Sequence, residues 1–197
     1  SFSTRCISNL GQLGNELEQL SVTYAGEFHF LFTGKNELDL AAPSTIPAFF
    51  EKHKPSYFIN CAAYTAVDRA ETEQEAAYII NTESVGSIAQ QCRIHNCTLI
   101  TISTDYVFDG KGAQPYQTDH TTDPVNYYGY TKWMGEKLAL ENNNHTIVIR
   151  TSWVYSVYGN NFVKTMLRLM KERAELSVVN DQFGSPTYAA DLAEAIM

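Results

Sequence analysis

Three things are missing from this chain: a run of basic residues, an apolar stretch long enough to cross a bilayer, and cysteine or histidine at metal-ligand spacing. Fourteen Lys and Arg against twenty-two Asp and Glu give a net charge of -8, which argues against nucleic acid or an anionic membrane as the main partner. A phosphorylated ligand remains compatible, because helix N-termini and single Arg or Lys side chains bind phosphate locally. With no spanning segment and no charged-then-apolar leader, the cytoplasm is the expected compartment. Cys6, Cys61, Cys92 and Cys97 fit neither a paired zinc spacing nor a small disulfide framework and are expected as reduced thiols. The five histidines show no ligand spacing either, so no structural metal is expected. There is no internal repeat and no low-complexity linker.

What is present suits an ordinary globular protein. At 197 residues, 44% hydrophobic and 18% charged, the chain can bury one sizeable core. Its apolar segments alternate in type. Helix is predicted over 11–21, strand over 28–33, helix over 44–54 after Pro43, and strand over 57–62. A helix over 72–96, a strand over 99–103, a polar loop over 111–123, a helix over 124–142 and a strand over 146–151 follow. Helix 160–173, a short strand 176–180 and helix 188–197 complete the pattern. Strands alternating with helices predict an α/β fold with a doubly wound parallel sheet.

The segments Ser103-Thr-Asp-Tyr-Val-Phe108 and Tyr128-Gly-Tyr-Thr-Lys132 carry the chemistry. In a helix, Tyr128 and Lys132 stand one turn apart on the same face. An ammonium there favours the phenolate and lowers a phenol pKa of about 10, as a proton donor requires. Thr104 and Asp105 would sit just past the end of a buried strand, where open parallel sheets bind ligands, with Thr104 holding a carbonyl oxygen. A Tyr-x-x-x-Lys spacing alone also arises on solvated helix faces, and Asp105 could equally cap the following turn. Gly11 and Gly14, with Gln12 and Leu13 between them, would turn the chain into the first helix and admit a pyrophosphate, or merely cap that helix. Ala62, Ala63, Tyr64 and Thr65 follow a buried strand and leave room either for a cofactor or for close helix–sheet packing.

These segments, together with Asn60-Cys-Ala-Ala-Tyr-Thr-Ala-Val-Asp-Arg-Ala-Glu71, Arg150-Thr-Ser-Trp-Val-Tyr155, Gly159-Asn-Asn-Phe-Val-Lys-Thr-Met166 and Val179-Asn-Asp-Gln-Phe-Gly-Ser-Pro-Thr187, resemble the extended short-chain dehydrogenase/reductases. Within that family they are most similar to the branch that reduces dTDP-4-dehydro-L-rhamnose to dTDP-L-rhamnose. The resemblance implies a Rossmann-like fold, a nucleotide-sugar substrate and NADPH or NADH as cofactor. It assigns Tyr128 as proton donor, Lys132 to the phenol and the nicotinamide ribose, and Thr104 to the substrate oxygen. Gly11 to Gly14, Asp39, Leu40, and Ala62 to Thr65 are implied on the cofactor, and Asp105 and Trp153 on the sugar. Asn81 matches a recurrent asparagine and is read as structural. A homodimer with Mg2+ at the dimer contact is also implied.

Departures from the family pattern are as informative. Ser8 stands where members have the first glycine of Thr-Gly-x-x-Gly, and residues 1–8 make a poor first strand. No acidic residue follows the second strand; Lys35 is there instead and could pair with a 2′-phosphate, which favours NADPH. Members continue beyond the position of Met197. The expected division is therefore 1–150 as the dinucleotide-binding domain and 151–197 as the start of a truncated substrate-binding region, which leaves open whether this form turns over. Two other readings are compatible with the resemblance: a non-catalytic regulatory subunit of the methionine adenosyltransferase type, and another nucleotide-sugar reductase or epimerase. The intact Thr104, Tyr128 and Lys132 favour an enzyme.

Overall fold

Period-two alternation along short strands separates two apolar layers, and helices cover both. In the computed structural model, which describes residues 3–8, 11–112 and 114–197, five strands form one parallel sheet: β1 (Ser3–Ser8), β2 (Phe28–Thr33), β3 (Tyr57–Asn60), β4 (Thr98–Thr104) and β5 (Thr146–Thr151). Their order is β2-β1-β3-β4-β5. Cys6, Phe58 and Leu99 point to one face, where they meet Phe49 and Phe50 of α2 (Ile46–His53), Ile88 and Cys92 of α5 (Ser84–Ile94), and Ala139 of α6 (Tyr127–Asn142). The next residue along each strand, Ile7, Ile59 and Ile100, points to the other face. There Leu13 and Leu17 of α1 (Gln12–Ser21) and Ala193 of α8 (Ala189–Ile196) cover it. Strands buried on both faces between helices are the doubly wound arrangement. Among the described residues no helix is long and apolar enough to cross a membrane.

The first strand is better than its sequence suggests. It is central, in register with β2 from Ser3↔Phe28 to Ser8↔Thr33 and with β3 from Arg5↔Tyr57 to Ser8↔Asn60. Cys6 and Ile7 are fully buried, and the Arg5 guanidinium lies 3.6 Å over the Phe28 ring and 5.1 Å over Tyr57. Aromatic faces thus cover the charge that made the segment look unsuited to a core strand. Asn9 and Leu10, the Ser8 side chain, Ser1, Phe2 and Ala113 lie outside the described residues.

Other boundaries depart from expectation for identifiable reasons. The strand expected over 57–62 stops at Asn60, whose Oδ1 accepts from the Ala62 N–H at 3.2 Å. The helix expected over 72–96 is preceded by α3 (Val67–Ala70) and divided into α4 (Gln74–Tyr78), a π-helical turn Ile79–Glu83 and α5. Asn81, in that wide turn, holds both backbone groups of Tyr64 (2.9 and 3.1 Å) and donates to Thr131 Oγ1 at 3.1 Å. It is the structural asparagine expected. No strand forms over 176–180; Val178 and Val179 are exposed there without a neighbouring strand. Instead β6 (Val154–Tyr155) pairs in parallel with β7 (Thr187–Tyr188), and α7 (Phe162–Glu172) lies between them in the chain.

Candidate active site

The strand order reverses between β1 and β3, since the chain leaves β1 toward β2 on one side and returns to build β3, β4 and β5 on the other. Such a switch point opens a crevice at the C-terminal strand ends. A cavity of about 650 Å³ lies there, bounded by Gly11, Gln12 and Leu13 after β1, Ala63 and Thr65 after β3, Thr104 and Asp105 at the end of β4, and Trp153 after β5. Tyr128 and Lys132 reach it from α6. The volume is in the usual range for small-molecule sites.

Two glycines set α6 close enough to do this. A Cβ on Gly129 would lie 2.1 Å from the Tyr106 carbonyl oxygen, and one on Gly135 would lie 2.1 Å from that of Asn81. Asn126 begins the helix by accepting the Gly129 N–H at 2.7 Å. Farther along, Glu136 is buried and binds Arg150 of β5 through Nη2 at 2.7 Å and Nε at 3.0 Å. This fork ties the helix to the edge strand.

The Tyr128 ring is buried, in edge contact with Tyr106 at 5.6 Å, and Thr104 lies within hydrogen-bonding reach of its phenol. The Thr104 hydroxyl donates to Asp105 Oδ1 at 3.1 Å and accepts from the Tyr106 N–H at 3.2 Å. Lys132 is buried too; its Nζ donates to the Ile102 carbonyl at 2.7 Å. Desolvation dominates both groups. It pushes the Tyr128 phenol up to about 12, against the Thr104 hydrogen bond, and lowers Lys132 to about 8, against the attraction of Glu136. The expected lowering of the phenol by Lys132 is therefore not found: the ammonium is held on a strand carbonyl, and burial outweighs it. Burial also raises the Asp105 carboxyl, opposed by its bonds to Thr104 and to backbone.

The expected cofactor residues separate into two groups. Gly11 is the N-cap of α1, and among the described residues a Cβ there would meet nothing within 4 Å, which leaves open space beside the helix N-terminus. Gln12, Leu13, Ala63 and Thr65 share that space, whereas Gly14 is buried inside the helix. Lys35, Asp39, Leu40, Ala62 and Tyr64 are not on the cavity wall. Lys35 is exposed with its ammonium 4.0 Å from Asp39, Leu40 is in the core, and the Tyr64 hydroxyl donates to Glu73 at 2.6 Å.

Residues given no role by the sequence also line the site. Ser103 Oγ is buried on the wall without a hydrogen-bond partner, and Gly159, Asn160 and Gln182 close the far side. The last three fall within blocks already singled out for resemblance, the one signal that could have marked them. Gln12 spans the gap: its Nε2 donates to the Val154 carbonyl at 3.3 Å, and its Oε1 accepts from Asn161 at 2.9 Å. Among the described residues no three His, Cys, Asp or Glu side chains gather where a metal could sit.

Comparison with known proteins agrees with this geometry. Residues 7–197 match the family described as the RmlD substrate binding domain. The chain is 42% identical over 187 residues to the dTDP-4-dehydrorhamnose reductase of Aggregatibacter actinomycetemcomitans, covering 95% of this chain and 63% of the relative. To the Salmonella typhimurium dTDP-4-dehydrorhamnose reductase it is 44% identical over 186 residues, 93% of this chain and 62% of the relative. It thus spans less than two thirds of these relatives. The crystal structure of the Bacillus anthracis dTDP-4-dehydrorhamnose reductase in complex with NADP superposes with a TM-score of 0.94 at 42% identity, covering all of this chain and 69% of that one.

Proposed function

The chain belongs to the RmlD substrate binding domain family, and from that premise we propose that its cavity binds NADPH and reduces the C4 ketone of dTDP-4-dehydro-L-rhamnose to give dTDP-L-rhamnose. The observation that carries the reading is the convergence of Thr104, Tyr128 and Lys132 beside the open N-terminus of α1. NADPH fits these residues. Its pyrophosphate would meet the N–H groups at Gly11 to Leu13, with Ala63 and Thr65 along its path. Lys132 would hold the nicotinamide ribose. The NADP complex of the Bacillus anthracis relative supports the choice of cofactor, and the exposed Lys35, held only by a loose surface pair with Asp39, would turn to a 2′-phosphate.

When bound, the cofactor supplies a hydride to the ketone carbon. The protein's part is the oxygen. The Thr104 hydroxyl, once it turns its proton away from Asp105, donates to the carbonyl oxygen, and Tyr128 gives its phenolic proton to the alkoxide that develops. The phenol, raised to about 12 before ligand binds, carries its proton at neutral pH, and donation would be eased by the Lys132 ammonium stabilising the phenolate once a ligand draws that group from Ile102. Asp105 and Trp153 would take the sugar. In this reading residues 1–150 bind the dinucleotide and 151–197 begin the sugar-nucleotide side. Four free thiols, three of them buried, suit a reducing cytoplasm.

The test is to follow NADPH oxidation by the chain with dTDP-4-dehydro-L-rhamnose, beside Tyr128→Phe. Turnover is expected in the parent and lost in Tyr128→Phe, with NADPH binding unchanged. Equal turnover in both would remove Tyr128 from its role.

A further inference from the structure

Trp153 holds an unusual backbone. Its φ is 48°, in the left-handed region that bulky L-residues avoid, so its surroundings must impose it. Two ties from one segment do so: Ser152 Oγ donates to the Ser185 carbonyl at 2.6 Å, and the Thr187 N–H donates to the Trp153 carbonyl at 3.4 Å. Immediately before those ties lies Gly184. A Cβ on Gly184 would stand 2.4 Å from the indole Nε1 and 2.6 Å from Cδ1, closer than any real contact. Phe162 meets the indole edge-on at 5.2 Å. The ring is thereby fixed while still 40% exposed, and it borders both the cavity of Tyr128 and an adjoining apolar cavity of about 390 Å³.

We infer that Gly184 is a specificity-determining position: by carrying no side chain it seats the Trp153 indole as the wall between the two cavities, and so sets which nucleotide sugar reaches Tyr128. This rests on the reductase reading and adds what positions the sugar end of the site. A rigid indole presents a flat apolar face that a deoxysugar can cover with its C–H groups, while an indole displaced into the cavity would occupy the sugar's place. The strain at Trp153 is the cost of holding that face at one angle.

The chain has two tryptophans, so Trp133→Phe leaves Trp153 as the sole indole reporter. In that background Gly184→Ala is expected to increase acrylamide quenching of Trp153. It should also weaken dTDP-L-rhamnose binding by about tenfold or more, the effect of misplacing one apolar wall, with NADPH affinity and the circular dichroism spectrum unchanged. Gly184→Ala/Trp153→Phe, whose smaller ring clears the added methyl, should regain part of that affinity. Unchanged quenching, or unchanged sugar-nucleotide affinity, would overturn the inference. So would a parent that binds NADPH but not dTDP-L-rhamnose, which leaves the cofactor half of the reading standing. A folded parent that binds neither would defeat the reductase reading itself.

Discussion

Replacing Lys132 by Met removes a charge from a largely buried position. Burial lowers the Lys132 ammonium from 10.5 to about 8, a displacement equivalent to about 3 kcal/mol held against the folded state while the group is charged. The sign follows from proton counting. Between pH 8 and pH 10.5 the unfolded chain binds a proton that the folded chain does not, so stability rises with pH through that window, and the penalty is fully present below it. Met keeps the volume but leaves the Ile102 carbonyl without its 2.7 Å donor, which costs about 1–3 kcal/mol at any pH. At neutral pH the gain is at least equal to the cost, and Lys132→Met should be as stable as the parent or more so by about 1 kcal/mol. Near pH 10 most of the gain has gone, with about 0.8 kcal/mol left, while the cost remains, so the variant should be the less stable by up to about 2 kcal/mol. Above about pH 10 Tyr128, raised to about 12, begins to reverse the trend, because the folded chain then holds the extra proton. Urea unfolding followed by circular dichroism at neutral pH and near pH 10 reads both differences. A Lys132→Met variant destabilised equally at the two pH values would refute the desolvation argument.

Three further outcomes follow from the same contacts. Gly135→Ala would force a methyl against the Asn81 carbonyl at 2.1 Å, and since backbone meets backbone the urea midpoint should fall by the equivalent of about 3 kcal/mol. Glu136→Gln should cost about 3 kcal/mol by leaving the half-buried Arg150 without its carboxylate, whereas Glu172→Gln, which breaks the exposed Arg168 pair on α7, should cost under about 1 kcal/mol. Thermal or urea unfolding of the two variants side by side distinguishes them, and similar losses would show that burial of the first pair does not matter. Tyr128→Phe should stop turnover and leave NADPH binding intact, measured by cofactor fluorescence.

Most of the architecture was legible in the sequence because it rests on local pattern. Strand-and-helix alternation, the apolar runs around Phe58 and Leu99, and the Tyr128–Lys132 spacing all depend on residues near one another in the chain. What escaped depends on residues far apart. The break at Ile79–Glu83 is fixed by Asn81 reaching Tyr64 and Thr131, and β1 is admissible because Phe28 and Tyr57 cover Arg5. The strand expected over 176–180 fails because its apolar residues find no partner strand. Within the site, the Tyr-x-x-x-Lys spacing located the two side chains, but the Tyr128 phenol is raised where the sequence argument had it lowered, because a spacing does not encode how deeply a helix face is buried. The left-handed backbone of Trp153 and the part of Gly184 in holding it carry no local signature at all.

The measurement that bears most directly on the account is a fluorescence titration of the 197-residue chain with NADPH and, separately, NADH, with circular dichroism taken on the same samples. The account predicts saturable binding of NADPH, weaker binding of NADH, and loss of both in Lys132→Met while the fold persists. A folded chain that binds neither nucleotide would contradict the claim that the crevice beyond β1, β3 and β4 is a nicotinamide site.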